Sequence, residues 1–137
     1  LELARERHAA IGPRLSFEHR SVYELGLPAG TYDLTVCRHV THSIPHVDRV
    51  YAELARVTRR GGWLHLIPED YGMLHFQKGS LDPRDFWHEG PARFGEKTGT
   101  DLFVGRHAWS HFTKLGFTDI TLDVVPAESR AMPLGAR

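Results

Sequence analysis

Between residues 32 and 67 the apolar positions change period twice, and each change marks an element. In YDLTVCRHV, Tyr32, Leu34 and Val36 alternate with polar neighbours, a period of two that predicts a strand over residues 32–37. On this pattern the three share one face and Thr35 lies on the other. From Val47 the spacing lengthens, and Val47, Val50, Tyr51, Leu54 and Val57 fall on one helical stripe. Pro45 suits the first turn of this helix, Asp48 complements its positive end, and Arg56, Arg59 and Arg60 complement the other. Gly61-Gly62 allows a left-handed exit. Residues 63–67 are nearly all apolar, which predicts a strand covered on both faces.

The flanking regions are less regular. Residues 1–11 read as the tail of a helix, stopped by Gly12-Pro13, and the uncapped opening leads to the expectation that the chain is a fragment. Residues 15–20 alternate and predict a short strand, and residues 25–30 form a turn-rich connection. Residues 68–104 have no clean period and much Gly, Pro and aromatic content, the signature of a long lid or insertion. Residues 105–115 predict a helix burying Ala108, Trp109, Phe112 and Leu115, with Gly116 as its stop. Ile120, Leu122 and Val124 alternate with Thr121 and Asp123 as a further strand, and the end from Pro126 is expected to be disordered or cut off. Strand–helix–strand alternation predicts an α/β fold with a mainly parallel sheet, as one domain over residues 1–137. Ligands of such sheets sit beyond the C-terminal strand ends, which nominates residues 20–23, 37–42 and 68–71.

Composition narrows the function classes. The chain has 137 residues, 41% hydrophobic and 25% charged, with a formal net charge of zero, as in an ordinary globular domain. Nucleic acid is not an expected partner, because phosphate binding usually shows as a basic excess. No apolar run approaches the ~20 residues that cross a bilayer, so no membrane partner is expected either. The single cysteine and the charged opening, without a signal peptide, make the cytoplasm the expected location. His39, His42 and His46 have spacings of three and four, but Pro45 breaks the helix that would align them and no matching Cys or carboxylate cluster stands nearby, so no metal is expected. A G-x-S-x-G nucleophile elbow is absent, and so is any Gly-x-Gly dinucleotide fingerprint.

The strand YDLTVC, the polar loop after it, the helix carrying Glu53-Leu54-Ala55-Arg56-Val57, and Gly61-Gly62 before an apolar strand together resemble the second half of the class I S-adenosylmethionine-dependent methyltransferase fold. The opening ELARER resembles the helix after the family's cofactor-ribose strand. GGWLHLIPEDYGMLHF and GTDLFVGRHAWSHFTKLGF resemble a small-molecule subfamily. The resemblance implies a Rossmann-like sheet, incomplete here because its first strands and its last strand are missing, with S-adenosylmethionine as cofactor and a small-molecule substrate. It places Ser21, Val22 and Tyr23 on the adenine side and Cys37, Arg38 and His39 at the methionine end. The chain departs from the family in three ways. The D/E-x-G-x-G-x-G loop is absent, the acidic residue that bonds the ribose is absent, and Ser21 stands where the family usually has the Asp that accepts from adenine.

Methyl transfer needs alignment, a dry site and, for a hydroxyl acceptor, a base. The candidates for base or substrate-orienting group are His39, Glu69 and Asp70, with His42 and His75 beside them. Each has a plainer alternative: packing at a strand end for His39, loop decoration for His42, and capping or an ion pair for Glu69 and Asp70. Arg38 either binds a carboxylate or pairs with Asp33, and Cys37 reads as a small core residue. Tyr71, Phe76, Trp87 and Phe94 either line an apolar substrate pocket or simply pack the long loop. Two function classes remain: a methyltransferase, active within a longer parent chain, and a non-catalytic remnant or binding module of the same fold. A raw sheet edge in either case leads to the expectation of self-association into a homo-oligomer.

Overall fold

The computed structural model describes residues 1–74 and 84–124. A short helix, α1 (Glu2–Arg7), leads into a 3-10 segment, Ala9–Arg14, and an irregular stretch follows up to β1 (Tyr32–Arg38). Then come α2 (Val47–Val57), β2 (Thr58–Ile67), α3 (Arg84–Thr98) and α4 (Val104–Lys114). Among the described residues the sheet has two strands, β1 and β2, paired in parallel. The fold is thus a small parallel α/β unit in which α2 makes the crossover.

The register shows how the chain passes from helix to strand. Tyr32 pairs with Thr58, but Leu34 pairs with Trp63, so the Arg59–Gly62 stretch bulges out between them. Gly61 takes a left-handed φ of 70° there. A Cβ on Gly62 would lie 2.9 Å from both the Arg59 and Asp33 carbonyl oxygens, so only glycine lets the two strands close. Thr58 fastens the same corner: its hydroxyl donates to the Leu54 carbonyl at 2.7 Å and so accepts from the Thr35 hydroxyl, also at 2.7 Å. Asp33 pairs with Arg59 across the bulge rather than with Arg38.

The core lies between α2, α4 and one face of the sheet. Val50, Tyr51, Leu54 and Val104 form its centre, with Cys37, Leu64 and Leu66 of the sheet packed against them. The expected helical stripe is therefore the buried one, although Val47 is only half-buried. Tyr51 joins α2 to α4 through ring contacts with His111, edge-on at 5.2 Å, and Phe112, at 5.5 Å. Full burial of such side chains is worth about 1.5–3 kcal/mol each.

Several expectations are corrected. Residues 15–20 and 120–124 form no strand, because alternation supplies a face but no ladder partner. The β2 strand is not covered on both faces: Trp63 is 68% exposed, and Leu34 and Val36 beside it are 56% and 51% exposed. The apolar face of β1 is the bare one, while Thr35 and Cys37 point inward. In α4 the buried residues are Val104 and Ala108, whereas Trp109 and Leu115 are exposed. Residues 68–104 are not one loop, since they contain the 3-10 turn Tyr71–Met73 and the whole of α3, whose Gly90, Pro91 and Gly95 hide its period. No helix among the described residues is long and apolar enough to cross a membrane.

Glu53 connects this unit to the segment before β1. One carboxylate oxygen accepts from the Leu25 N–H and from Arg56 Nη2, both at 2.7 Å, and the other from Arg56 Nε at 2.6 Å. The Arg56 hydrogen bonds first, and then the Leu25 N–H, hold its pKa down to about 2. A depressed carboxylate stabilises the fold fully above its unfolded value near 4.5, and that contribution is lost as pH falls toward 2. Denaturant melts of Glu53→Gln should therefore show a stability deficit at pH 7 that shrinks steadily below pH ~4.5; a deficit that ignores pH would contradict this role. The two sheet faces give a second contrast. Leu54→Ala should cost about 2–5 kcal/mol. Trp63→Ala should change stability by no more than about 0.5 kcal/mol and lower self-association in sedimentation. Equal costs for the two would mean that the Trp63 face is covered in solution.

Candidate functional site

Parallel pairing sets the C-terminal ends of β1 and β2 side by side, with Arg38 opposite Ile67. The ladder runs one step further, as the His39 N–H donates to the Ile67 carbonyl at 3.2 Å. There the chain turns sharply, with His39 in the left-handed region at φ 55°. This conformation is uncommon outside glycine, with asparagine, aspartate and histidine the residues that most often adopt it, and His46 and Asp119 share it. The turn directs the His39 ring toward Glu69, two residues past β2.

The Glu69 carboxylate bridges two histidines. One oxygen lies 2.5 Å from His39 Nδ1 and the other 3.3 Å from His42 Nε2. His39 is half-exposed, whereas His42, in the 3-10 turn Thr41–Ser43, is buried. An ionised carboxylate only accepts hydrogen bonds, so His39 Nδ1 carries the proton of this contact and its Nε2 holds the lone pair when the ring is neutral. Three buried polar atoms nearby meet no hydrogen-bond partner of good geometry among the described residues: Thr41 Oγ1, His42 Nδ1 and Tyr51 Oη. Burial pushes the Tyr51 phenol up, and the adjacent Thr41 hydroxyl only partly opposes this. The Thr41 and Tyr51 hydroxyls face one another, so His42 Nδ1 is the buried atom of this group that calls for a polar partner.

Asp70 is placed differently from Glu69. Its side chain is 5% exposed, and both of its oxygens are engaged. Arg106 donates Nη2 to Oδ1 at 2.8 Å and Nε to Oδ2 at 2.7 Å, and the Gly72 N–H adds a bond of 2.9 Å to Oδ1. Burial pushes the Asp70 carboxyl up, but Arg106 and the backbone N–H groups outweigh it and leave it below its ordinary value. Asp70 thus forms a bracket that fixes α4 against the end of β2. The Gly105 N–H reinforces this bracket by donating to the Glu69 carbonyl at 3.2 Å.

The residues on the cofactor side divide in the same way. Cys37 lies on the packed face of the sheet, where burial pushes its thiol up, so it acts as a small core residue. Arg38 is exposed at the strand end, beside the His39 turn. Ser21 is exposed, and its Oγ accepts from the Tyr23 N–H at 3.3 Å within a turn closed by Glu24 N–H to Ser21 C=O. Val22 and Tyr23 pack against the core, and the Tyr23 hydroxyl donates to the Pro45 carbonyl at 2.7 Å. That bond ties residues 21–23 to the same β1–α2 loop that carries His39 and His42. His75 and Phe76 lie outside the described residues.

An aromatic series begins behind His42. The Tyr71 ring lies 5.7 Å from that of His42, and Trp87 of α3 stacks on Tyr71 at 6.0 Å and 27°. Arg106 and Thr41 are also residues that sequence reasoning missed. Arg106 is 36 positions from its partner Asp70, and Thr41 has no motif around it. Among the described residues no cluster of His, Cys, Asp and Glu has the geometry of a metal site.

A family model described as a methyltransferase domain matches residues 1–66. A search of curated proteins finds no match to the chain. The matched span takes in residues 21–23, all of β1 and α2, the His39–His42 turn and the bulge at Gly61-Gly62. Glu69, α3 and α4 lie beyond it. The match over residues 1–66, together with the parallel pair, its crossover helix and the polar groups at its strand ends, supports a class I S-adenosylmethionine-dependent methyltransferase domain there.

Proposed function

We propose that these residues form the adenine- and methionine-side half of a methyltransferase site that acts on a small molecule carrying a hydroxyl group. The observation that carries this reading is the Glu69 carboxylate bridging His39 and His42 at the ligand end of the parallel pair. When bound, S-adenosylmethionine supplies a methyl group on a sulfonium sulfur that leaves as a neutral thioether, so transfer calls for no acid.

The residues fit the cofactor on one side. The exposed Arg38 guanidinium suits the methionine carboxylate, and the buried His42 Nδ1 calls for a polar neighbour at that end. Ser21 Oγ keeps a lone pair for the adenine amino group, as a neutral acceptor weaker than the family's carboxylate. The ribose has no acidic anchor in this sequence.

His39 serves as the base. Glu69 holds its Nδ1–H, fixes the tautomer and stabilises the imidazolium, while Nε2 takes the hydroxyl proton as the acceptor oxygen bonds to the methyl carbon. Asp70 and Arg106 position Glu69 by anchoring the backbone on its C-terminal side. The second reading, a binding module that has lost catalysis, draws on Ser21, a weaker acceptor than the family's carboxylate.

Calorimetric titration with S-adenosylhomocysteine separates the two. The first reading expects micromolar binding, with Arg38→Ala weakening it about tenfold, a loss of ~1.4 kcal/mol. No heat from a chain shown by circular dichroism to be folded would assign these residues to the second.

A further inference from the structure

We infer that the trough between α3 and the Tyr71 turn is a binding site for the acceptor, and that the acceptor is a planar aromatic ring bearing a hydroxyl group. The choice of reacting atom rests on the methyl-transfer reading above, whereas the affinity for an aromatic ring does not.

The trough has a volume of about 360 Å³, with Tyr71 and Leu102 on one wall and Phe86, Trp87, Gly90 and Phe94 of α3 on the other. This is within the range of small-molecule pockets, ~300–1,000 Å³. No Asp, Glu, Lys or Arg is among the described residues that line it, so it offers nothing to a charged ligand. Phe86 and Phe94 are 69% and 52% exposed, so their rings give an apolar surface at the mouth rather than a filled core. Tyr71 and Trp87 lie nearly parallel, at 27°, and Phe86 meets Trp87 edge-on at 88°. Walls of this kind favour a flat π-system over an aliphatic one, through ring contacts that add to the area buried.

Gly90 is the most telling position. Glycine inside a helix is less favourable than alanine. A Cβ at Gly90 would meet no described atom within 4 Å, so no close packing requires glycine there. Its effect is to leave the trough open on the α3 side.

The trough also leads to the proposed base. Tyr71 touches both Trp87 and His42, His42 faces Glu69, and Glu69 holds His39. A ring seated against Tyr71 and Trp87 thus has the histidine and carboxylate groups beyond Tyr71, where a hydroxyl could be bonded.

The test uses 2-naphthol and its saturated analogue decahydro-2-naphthol as probes, titrated into the 137-residue chain by calorimetry. The expected result is binding of 2-naphthol at least tenfold tighter than its analogue. Gly90→Leu should weaken it at least tenfold with no loss of melting temperature, and Phe94→Ala, which removes a half-exposed ring, should weaken it several-fold. Equal affinity for the two probes, or unchanged 2-naphthol binding in both variants, would overturn the inference. Parallel titrations with S-adenosylhomocysteine keep the two proposals apart. Selective naphthol binding without cofactor binding retains the aromatic site and removes the methyl-transfer reading. Cofactor binding without selective naphthol binding does the reverse.

Discussion

Two parallel strands cannot be joined by a tight turn, and the rest of this structure follows from that constraint. The chain must return from the end of β1 to the start of β2, and it does so through α2, whose apolar stripe then has to lie on the sheet. Once α2 is seated, Val50, Tyr51 and Leu54 define a core that α4 completes through Val104 and the ring contacts of Tyr51. The same constraint puts both C-terminal strand ends at one edge. His39 and Glu69 are 30 residues apart in sequence, yet they meet at 2.5 Å because each follows its strand by one or two positions. The catalytic proposal is therefore a consequence of topology rather than of local sequence.

The crossover unit was legible because its signals are local. Helical spacing from Val47 to Val57 was read as one buried stripe, and the residues of that stripe are the core. The Gly61-Gly62 pair was read as a helix exit; the structure puts it in a bulge of β2, where glycine is needed for close approach of two carbonyl groups. What failed was whatever depends on a partner. The stretch 120–124 has a strand's alternation and no neighbour to pair with, so its pattern had no ladder to express itself in. The apolar run at residues 63–67 predicts cover on both faces, yet among the described residues Trp63, with Leu34 and Val36 beside it, forms a bare face. A hydrophobic pattern shows that a face is suited to burial, not that something buries it.

At the site, chemistry on the main chain path was easier to foresee than chemistry across it. The polar run after each strand was visible, and it contained His39, His42 and Glu69. Separating Glu69 from Asp70 was beyond the sequence, because the two are adjacent carboxylates of the same kind. Arg106 on α4 makes the difference, saturating one and leaving the other to the histidines. The trough was legible only as an unranked set of aromatic residues, since α3 was hidden by Gly90, Pro91 and Gly95 inside it.

These features divide the molecule into a built edge and an unbuilt face. At the strand ends Asp70 and Arg106 brace the loops, Tyr23 ties the residue 21–23 turn to Pro45, and Glu53 anchors Leu25. On the sheet face opposite α2, Leu34, Val36 and Trp63 are left to solvent. Next to Glu69 the Asp70–Arg106 pair and the Gly105 N–H fix the backbone on its C-terminal side, as a site requires when its groups must be held before a ligand arrives. The same distribution explains why the ligand edge can keep its geometry while the opposite face stays open: the braces that hold His39 and Glu69 run through α2 and α4, not through the bare side of the sheet.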